Sequence, residues 1–199
     1  AAIIKSRRGI DATARDETPH DIPVLLVDRV DRLPVDRGDQ QQPVGLLDDH
    51  HDQVIYDLYS GTGTIAQVLA KSARHVYGVE IVADAVAAAK ENARLNALDN
   101  VTFLAGDVFE TLPAIEEKPD LIVVDPPRVG LGQKAASRVA AYGVPQILYI
   151  SCNPITLKED LETMAEAGYR VKRAKTVDLF PHTYHVESIA LLEREDIKG

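Results

Sequence analysis

At 199 residues the chain has room for one α/β domain, since domains run to roughly 100–200 residues, and its apolar content of 45% supplies an ordinary core. A formal net charge of −9 argues against general affinity for nucleic acid, because phosphate contacts need Lys and Arg; an RNA-directed function would need a local basic surface. One cysteine excludes a disulfide within the chain and fits a reducing cytosol. With no apolar run long enough for a bilayer and no signal-peptide order over Ala1 to Arg8, a cytoplasmic protein with no membrane partner is expected.

Residues 1 to 52 carry no aromatic side chain, and every Tyr and Phe lies from Tyr56 onward. Asp and Arg recur there without a sustained helical or strand period, so this segment is expected to be divergent or poorly ordered. Ile22 to Val30 could form one strand and Val44 to Leu47 a short turn. His50-His51 between aspartates lacks the ligand spacing of a structural metal site, and no metal is expected.

From Val54 the alternation becomes regular. Val54–Leu58 reads as a strand, followed by the glycine turn Ser60-Gly-Thr-Gly63 and a short amphipathic helix, Ile65–Ala70. His75–Glu80 is a second strand and Ala83 to Asn96 a helix of strong formers. Val101–Ala105 is a third strand, and Leu121–Asp125, almost wholly β-branched, a buried central one. Gln133 to Tyr142 reads as helix and Gln146–Ile150 as the fifth strand. Asn153 can cap a helix that begins at Pro154 and stops at Gly168. Lys172–Leu179 and Val186–Leu192 form a terminal antiparallel pair joined by Phe180 to Tyr184. Strands alternating with helices predict a doubly wound α/β fold with a mostly parallel, Rossmann-like sheet and a C-terminal antiparallel hairpin. The expected division is an N-terminal segment, 1–52, and a catalytic domain, 53–199.

In such sheets ligands bind beyond the carboxyl ends of the strands. Polar residues collect there: Asp57 and Tyr59, Glu80, Asp107, Asp125 and Cys152 follow or end successive strands. Gly61 and Gly63 allow a tight turn and close approach of a ligand. Two cofactors fit the loop. Gly61-x-Gly63-x-x-Ala66 with Glu80 matches a dinucleotide fingerprint. S-adenosylmethionine (SAM) carries an ammonium and a ribose diol, both suited to carboxylates, and Asp57 would repel a pyrophosphate. Glu80 is placed for a ribose diol and Asp107 for an adenine amino group. Asp125-Pro-Pro-Arg128 makes a rigid exit from its strand that holds Asp125 and Arg128 near the crevice. Cys152, at a strand end and a helix start, is a candidate nucleophile whose thiol pKa a helix N-terminus should lower.

Asp57-Leu-Tyr-Ser-Gly-Thr-Gly63, Gly78-Val-Glu80, Asp125-Pro-Pro-Arg128, Ser151-Cys-Asn-Pro154 and His185-Val-Glu187 resemble, in order and spacing, the motifs of RNA uracil-5-methyltransferases. The likeness runs from Gln53 to Arg194 and is nearer to the bacterial 23S rRNA branch than to the tRNA branch. It implies SAM as cofactor and RNA as substrate, rRNA ahead of tRNA. It also implies that Cys152 is the nucleophile and Glu187 the base, that Tyr59, Gly61, Thr64, Glu80, Asp107 and Asp125 surround SAM, and that Asp125 and Arg128 join Cys152 and Glu187 in catalysis. Some members hold an iron–sulfur cluster through several cysteines, which one cysteine cannot do. Members also carry an N-terminal nucleic-acid-binding barrel and a further domain, for which 52 residues are too few. Three alternatives stay open: a tRNA uracil-5-methyltransferase, a truncated non-catalytic SAM- or RNA-binding fragment, and a nicotinamide enzyme on the loop alone. An amino-methyltransferase is disfavoured, because Arg128 stands where an aromatic would stack on the base.

Overall fold

The computed structural model describes residues 35–36, 47, 51–177 and 187–195. The strands are β1 (Val35–Asp36), β2 (Val54–Leu58), β3 (His75–Glu80), β4 (Val101–Ala105), β5 (Leu121–Val124), β6 (Gln146–Ser151), β7 (Tyr169–Val177) and β8 (Glu187–Arg194). The helices are α1 (Thr64–Ala70), α2 (Ala83–Leu95), α3 (Val108–Thr111, continued by a 3-10 turn at Leu112–Ala114), α4 (Gly132–Ala141) and α5 (Pro154–Glu166). All strands join one sheet in the order β1-β7-β8-β6-β5-β2-β3-β4. Each neighbouring pair is parallel except those made by β8, which is antiparallel to both β6 and β7. The expected doubly wound sheet and antiparallel terminal pair are therefore present.

Period-two alternation divides the strands between two cores. Ile55, Leu121, Val123, Leu148, Ile150, Ile189 and Leu191 pack under α1 and α2, with Ala66, Leu69, Val86 and Ala89. Tyr56, Leu58, Ile122, Val124, Ile147, Tyr149, Ala190 and Leu192 pack on the opposite face, under α4 and α5. β2 and β5 are buried along their whole length, which is why they read as continuous apolar runs. Burying each large aliphatic side chain stabilises the fold by roughly 1.5–3 kcal/mol.

From β2 the chain winds outward through β3 to β4, then returns to β5 on the other side of β2. Open α/β sheets bind ligands in a crevice where the winding reverses, which here is at the carboxyl ends of β2 and β5. Two elements were not anticipated. β1 pairs in parallel with β7 at the sheet edge. Asp107 caps the short α3, its Oδ1 accepting from the N–H groups of Phe109 (2.9 Å) and Glu110 (3.2 Å). Asn153 caps α5 as expected, with Oδ1 accepting from Ile155 N at 3.1 Å, and Pro154 opens that helix. The terminal strands lie a few residues from their expected bounds, and a bulge between Val171 and Arg173 shifts their register. The strand expected at Ile22 to Val30 and the Phe180–Tyr184 connection lie outside the described residues, as does all of Val44 to Leu47 except Leu47, which packs on the α1/α2 side.

Candidate active site

The glycine loop is tied to the next strand by its own backbone. The N–H groups of Tyr59 (2.9 Å) and Ser60 (3.1 Å) both donate to Val79 O. This geometry holds Tyr59 at φ 66°, in the left-handed region, which costs a non-glycine residue about 1–3 kcal/mol and marks a site under constraint. Glu80 completes the tie: Oε2 accepts from Gly61 N at 3.1 Å and Oε1 from Val82 N at 2.9 Å. It ends β3, and its two oxygens hold the loop to that strand and to the start of the next segment.

The two loop glycines serve different ends. Gly61 is at φ 54°, and a Cβ built on it meets no atom within 4 Å, so this stretch is open to a ligand. Gly63 is at φ 79°, likewise left-handed. Its open side is filled by the ring of Phe103, which also lies 2.5 Å from where a Gly78 Cβ would stand. Phe103 is buried on β4; Gly78 leaves room for this ring, and Gly63 both leaves room for it and takes up the left-handed turn.

Asp57 is fully buried on β2, under α1, and neither carboxylate oxygen makes a well-formed hydrogen bond among the described residues, the Ala66 N–H acting on it only from longer range. Burial, then the negative charge of Asp125, then that of Glu80, push its pKa up to about 8, while the Ala66 backbone N–H partly opposes them. Asp125 is itself pushed up to about 6, by burial first and then by Glu187. A buried carboxylate beside two others is costly to ionise, and a positive charge placed next to it would lower that cost.

The register of β6 and β8 decides the other side of the crevice. Ser151 stands opposite Ser188 in this antiparallel pair, so one step further along the same register brings Cys152 opposite Glu187. The alternation that sends Val123, Ile150 and Ile189 to one face carries Asp125, Cys152 and Glu187 to that face as well. Their charges interact accordingly. The Cys152 thiol is pushed up by burial, then by Glu187; Arg128 pulls it down, and Asp125 adds to the rise. This corrects the expectation of a lowered thiol pKa. The helix-start argument is local, and burial with two carboxylates outweighs it. Burial also raises the Glu187 carboxyl.

The Arg128 loop is sewn to the Cys152 loop by backbone contacts. Arg128 O accepts from Asn153 Nδ2 at 3.0 Å and from Thr156 Oγ1 at 3.3 Å. The double proline thus leads into a loop that is tied down at its start.

Cys152, Glu187, Asp125 and Arg128 are brought together, and Tyr59, Gly61 and Glu80 surround the glycine loop beside them. Asp107 lies at the end of β4, exposed, with Oδ1 engaged as a cap. Thr64 points elsewhere. It is exposed and lines a groove of about 430 Å³ between α1 and α2, with Gln67, Lys71, Asn92 and Asn96. Sequence reasoning missed Asp160, a buried acid on α5 described below, because an acid on a helix reads as a solvated face.

The sequence profile described as tRNA (Uracil-5-)-methyltransferase matches residues 44–195. The chain belongs to that family. Among its relatives are an uncharacterized RNA methyltransferase of Caldanaerobacter subterraneus subsp. tengcongensis, 51% identical over 73% of this chain and 32% of the relative, and one of Clostridium acetobutylicum, 47% identical over 76% and 33%. The chain thus spans about a third of the length of the curated relatives it matches. The Pyrococcus abyssi tRNA (uracil-54, C5)-methyltransferase, solved in complex with S-adenosyl-L-homocysteine, superposes with a TM-score of 0.62 at 32% identity, over 85% of this chain and 37% of that one. A precorrin-6y C5,15-methyltransferase of Geobacter metallireducens, at 15% identity and a TM-score of 0.64 over 82% of this chain and 95% of that one, shares the fold alone.

Proposed function

We propose that this member of the tRNA (Uracil-5-)-methyltransferase family carries the catalytic site for SAM-dependent methylation of uracil carbon 5 in RNA, through a covalent Cys152 adduct. The observation that carries the reading is the β6–β8 register, which ends with Ser151 opposite Ser188 and puts Cys152 and Glu187 next in line, with the charges of Glu187, Arg128 and Asp125 all acting on the thiol.

SAM fits the other half of the crevice. Asp57 is buried with neither oxygen in a well-formed hydrogen bond among the described residues, and both charges acting on it are negative, so an ammonium would relieve the site and a pyrophosphate would aggravate it. Tyr59, Gly61, Glu80 and Asp125 would hold the cofactor, with Asp107 at the adenine end. When bound, SAM supplies an electrophilic methyl group.

The protein's own groups act on the base. Cys152 Sγ, as thiolate, adds to uracil carbon 6, and the carbon 5–carbon 6 π pair moves toward O4 as an enolate. Arg128, held by Asn153 and Thr156, is the donor suited to stabilise that charge. Carbon 5 becomes nucleophilic, which divides one hard step into easier ones. Once carbon 5 is methylated, the Glu187 carboxylate removes its proton. The freed pair restores the double bond and expels the thiolate. Burial brings the Glu187 carboxyl closer to the working pH, as suits a base. The target nucleotide must leave its stack to reach this crevice.

We take 23S rRNA as the first substrate, on the likeness of the five motifs to that branch. The second reading is tRNA, favoured by the likeness to the Pyrococcus abyssi enzyme. Incubation with each RNA, followed by mapping of 5-methyluridine by mass spectrometry, separates the two.

The deciding experiment is the intact-protein mass after incubation with SAM and a short 5-fluorouridine-containing RNA. Fluorine at carbon 5 cannot leave as a proton, so the enzyme stalls as a covalent adduct. The adduct should require SAM and vanish in Cys152→Ala. A chain that binds SAM but gives no adduct would instead be a non-catalytic SAM- or RNA-binding fragment.

A further inference from the structure

We propose that Asp160 is a positioning residue: its buried carboxylate fixes the loop that carries Arg128 against the helix that follows Cys152, and so sets where the guanidinium stands relative to the thiol. The functional meaning of this rests on the uracil reading above; the placement does not.

Asp160 lies in the second turn of α5 and is 2% exposed. A buried carboxylate is costly to desolvate and is retained only where its hydrogen bonds serve a purpose. Its Oδ2 accepts two of them. One comes from Leu131 N, at 2.7 Å, at the end of the Arg128 loop. The other comes from the hydroxyl of Tyr149, a fully buried residue of β6 three positions before Cys152. One oxygen therefore joins the loop after β5, the strand that leads to the nucleophile and the helix that starts behind it.

A second observation is independent of these bonds. Gly130 is at φ 75°, and a Cβ there would stand 2.7 Å from Asp160 Oδ2 and 3.0 Å from Thr156 Cβ. The loop approaches α5 so closely that only glycine fits. Residues 128 to 131 are thus held at both ends, by Asn153 and Thr156 on Arg128 O and by Asp160 on Leu131 N. Asp160 also reaches the cofactor side, since its charge acts on Tyr59 in the glycine loop.

The sole cysteine provides a readout free of RNA and cofactor: the pH dependence of Cys152 alkylation by iodoacetamide, followed by intact mass. Among the described residues, the charges facing this thiol are Glu187 from β8, and Asp125 and Arg128 from the loop after β5. Arg128→Gln should raise the alkylation midpoint by roughly one unit, the lower end of what one nearby opposite charge supplies. Asp160→Ala should raise it as well. Loss of the Asp160 charge by itself would lower the midpoint, so a rise has the displaced loop as its source. Asp160→Asn, whose amide oxygen can accept both donors, should stay near wild type or fall slightly. In the Arg128→Gln background, Asp160→Ala should add no further rise.

An unchanged or lowered midpoint in folded Asp160→Ala overturns the proposal, as does a rise that persists in the Arg128→Gln background. Should Asp160→Ala fail to fold, Gly130→Ala displaces the loop with Asp160 intact, and an unchanged midpoint there overturns it equally. Because alkylation needs neither RNA nor SAM, a failed adduct experiment would leave this result standing.

Discussion

Asp57 is the residue on which burial, charge and ligand choice converge. Its pKa is raised from 3.8 in the free side chain to about 8, so between those values the folded protein holds a proton that the unfolded chain has released. Its contribution to stability is fully present below 3.8 and is lost as pH rises through about 8. Asp57→Asn should flatten this fall, as urea unfolding at about pH 5, 7 and 8.5 would show. A cationic ligand favours the ionised form. SAM binding near pH 7 should therefore release a proton and tighten as pH rises to about 8, which calorimetry in two buffers of different ionisation enthalpy measures; proton uptake would count against Asp57 as the cation's partner. Across the crevice, Glu187→Gln removes the proposed base, and with it one of the charges that raise the Cys152 thiol. The covalent RNA adduct should still form and should persist longer than in wild type; an unaltered adduct lifetime would remove Glu187 from that role.

The glycine loop shows at the element scale how packing and ligand geometry share one sequence. Gly61-x-Gly63 reads as a ligand-facing turn, yet Phe103 occupies the second glycine's open side and lies against Gly78. Gly78 has no positive φ, so its substitution tests space alone. Gly78→Ala should destabilise the protein by about 1–3 kcal/mol, as overpacking of a tight core does. Phe103→Leu should recover part of that loss in the double variant. Denaturant unfolding of the four proteins measures the coupling, and additive losses would show that the ring and the glycine do not depend on each other. The Asn153 side chain works between elements in the same way. One end caps α5 and the other holds Arg128 O, so the start of that helix and the site loop form one unit.

At the scale of the whole molecule, β8 both closes the sheet and completes the site. It runs between β6 and β7, and Ile189, Ala190, Leu191 and Leu192 are all buried. A chain ending at residue 186 would lose these side chains and leave two strand edges unpaired. At roughly 1.5–3 kcal/mol for each large aliphatic, the loss of three rivals the whole stability of about 5–15 kcal/mol expected of a domain. Such a truncation should abolish cooperative thermal unfolding by circular dichroism and aggregate on gel filtration. A soluble, cooperatively melting product would mean that β8 serves the site more than the fold.

Much of this was legible before any coordinates. The strands from Val54 to Ile150, the helix caps at Asn153 and Pro154, and the gathering of Asp57, Glu80, Asp107, Asp125 and Cys152 at strand ends follow from local periodicity and turn chemistry, which act between near neighbours in the chain. The doubly wound fold follows from their alternation. What local pattern could not supply was strand order. A period of two says which face a residue takes, but not which strand lies beside it, so the meeting of Glu187 with Cys152 came from the insertion of β8 beside β6. The thiol pKa went the same way: the helix start is local and lowers it, whereas burial and the Glu187 and Asp125 carboxylates act through space and prevail. Asp160 reads in sequence as one more acid on a polar helix. Only the packing of the Arg128 loop onto α5 buries it and supplies both its donors.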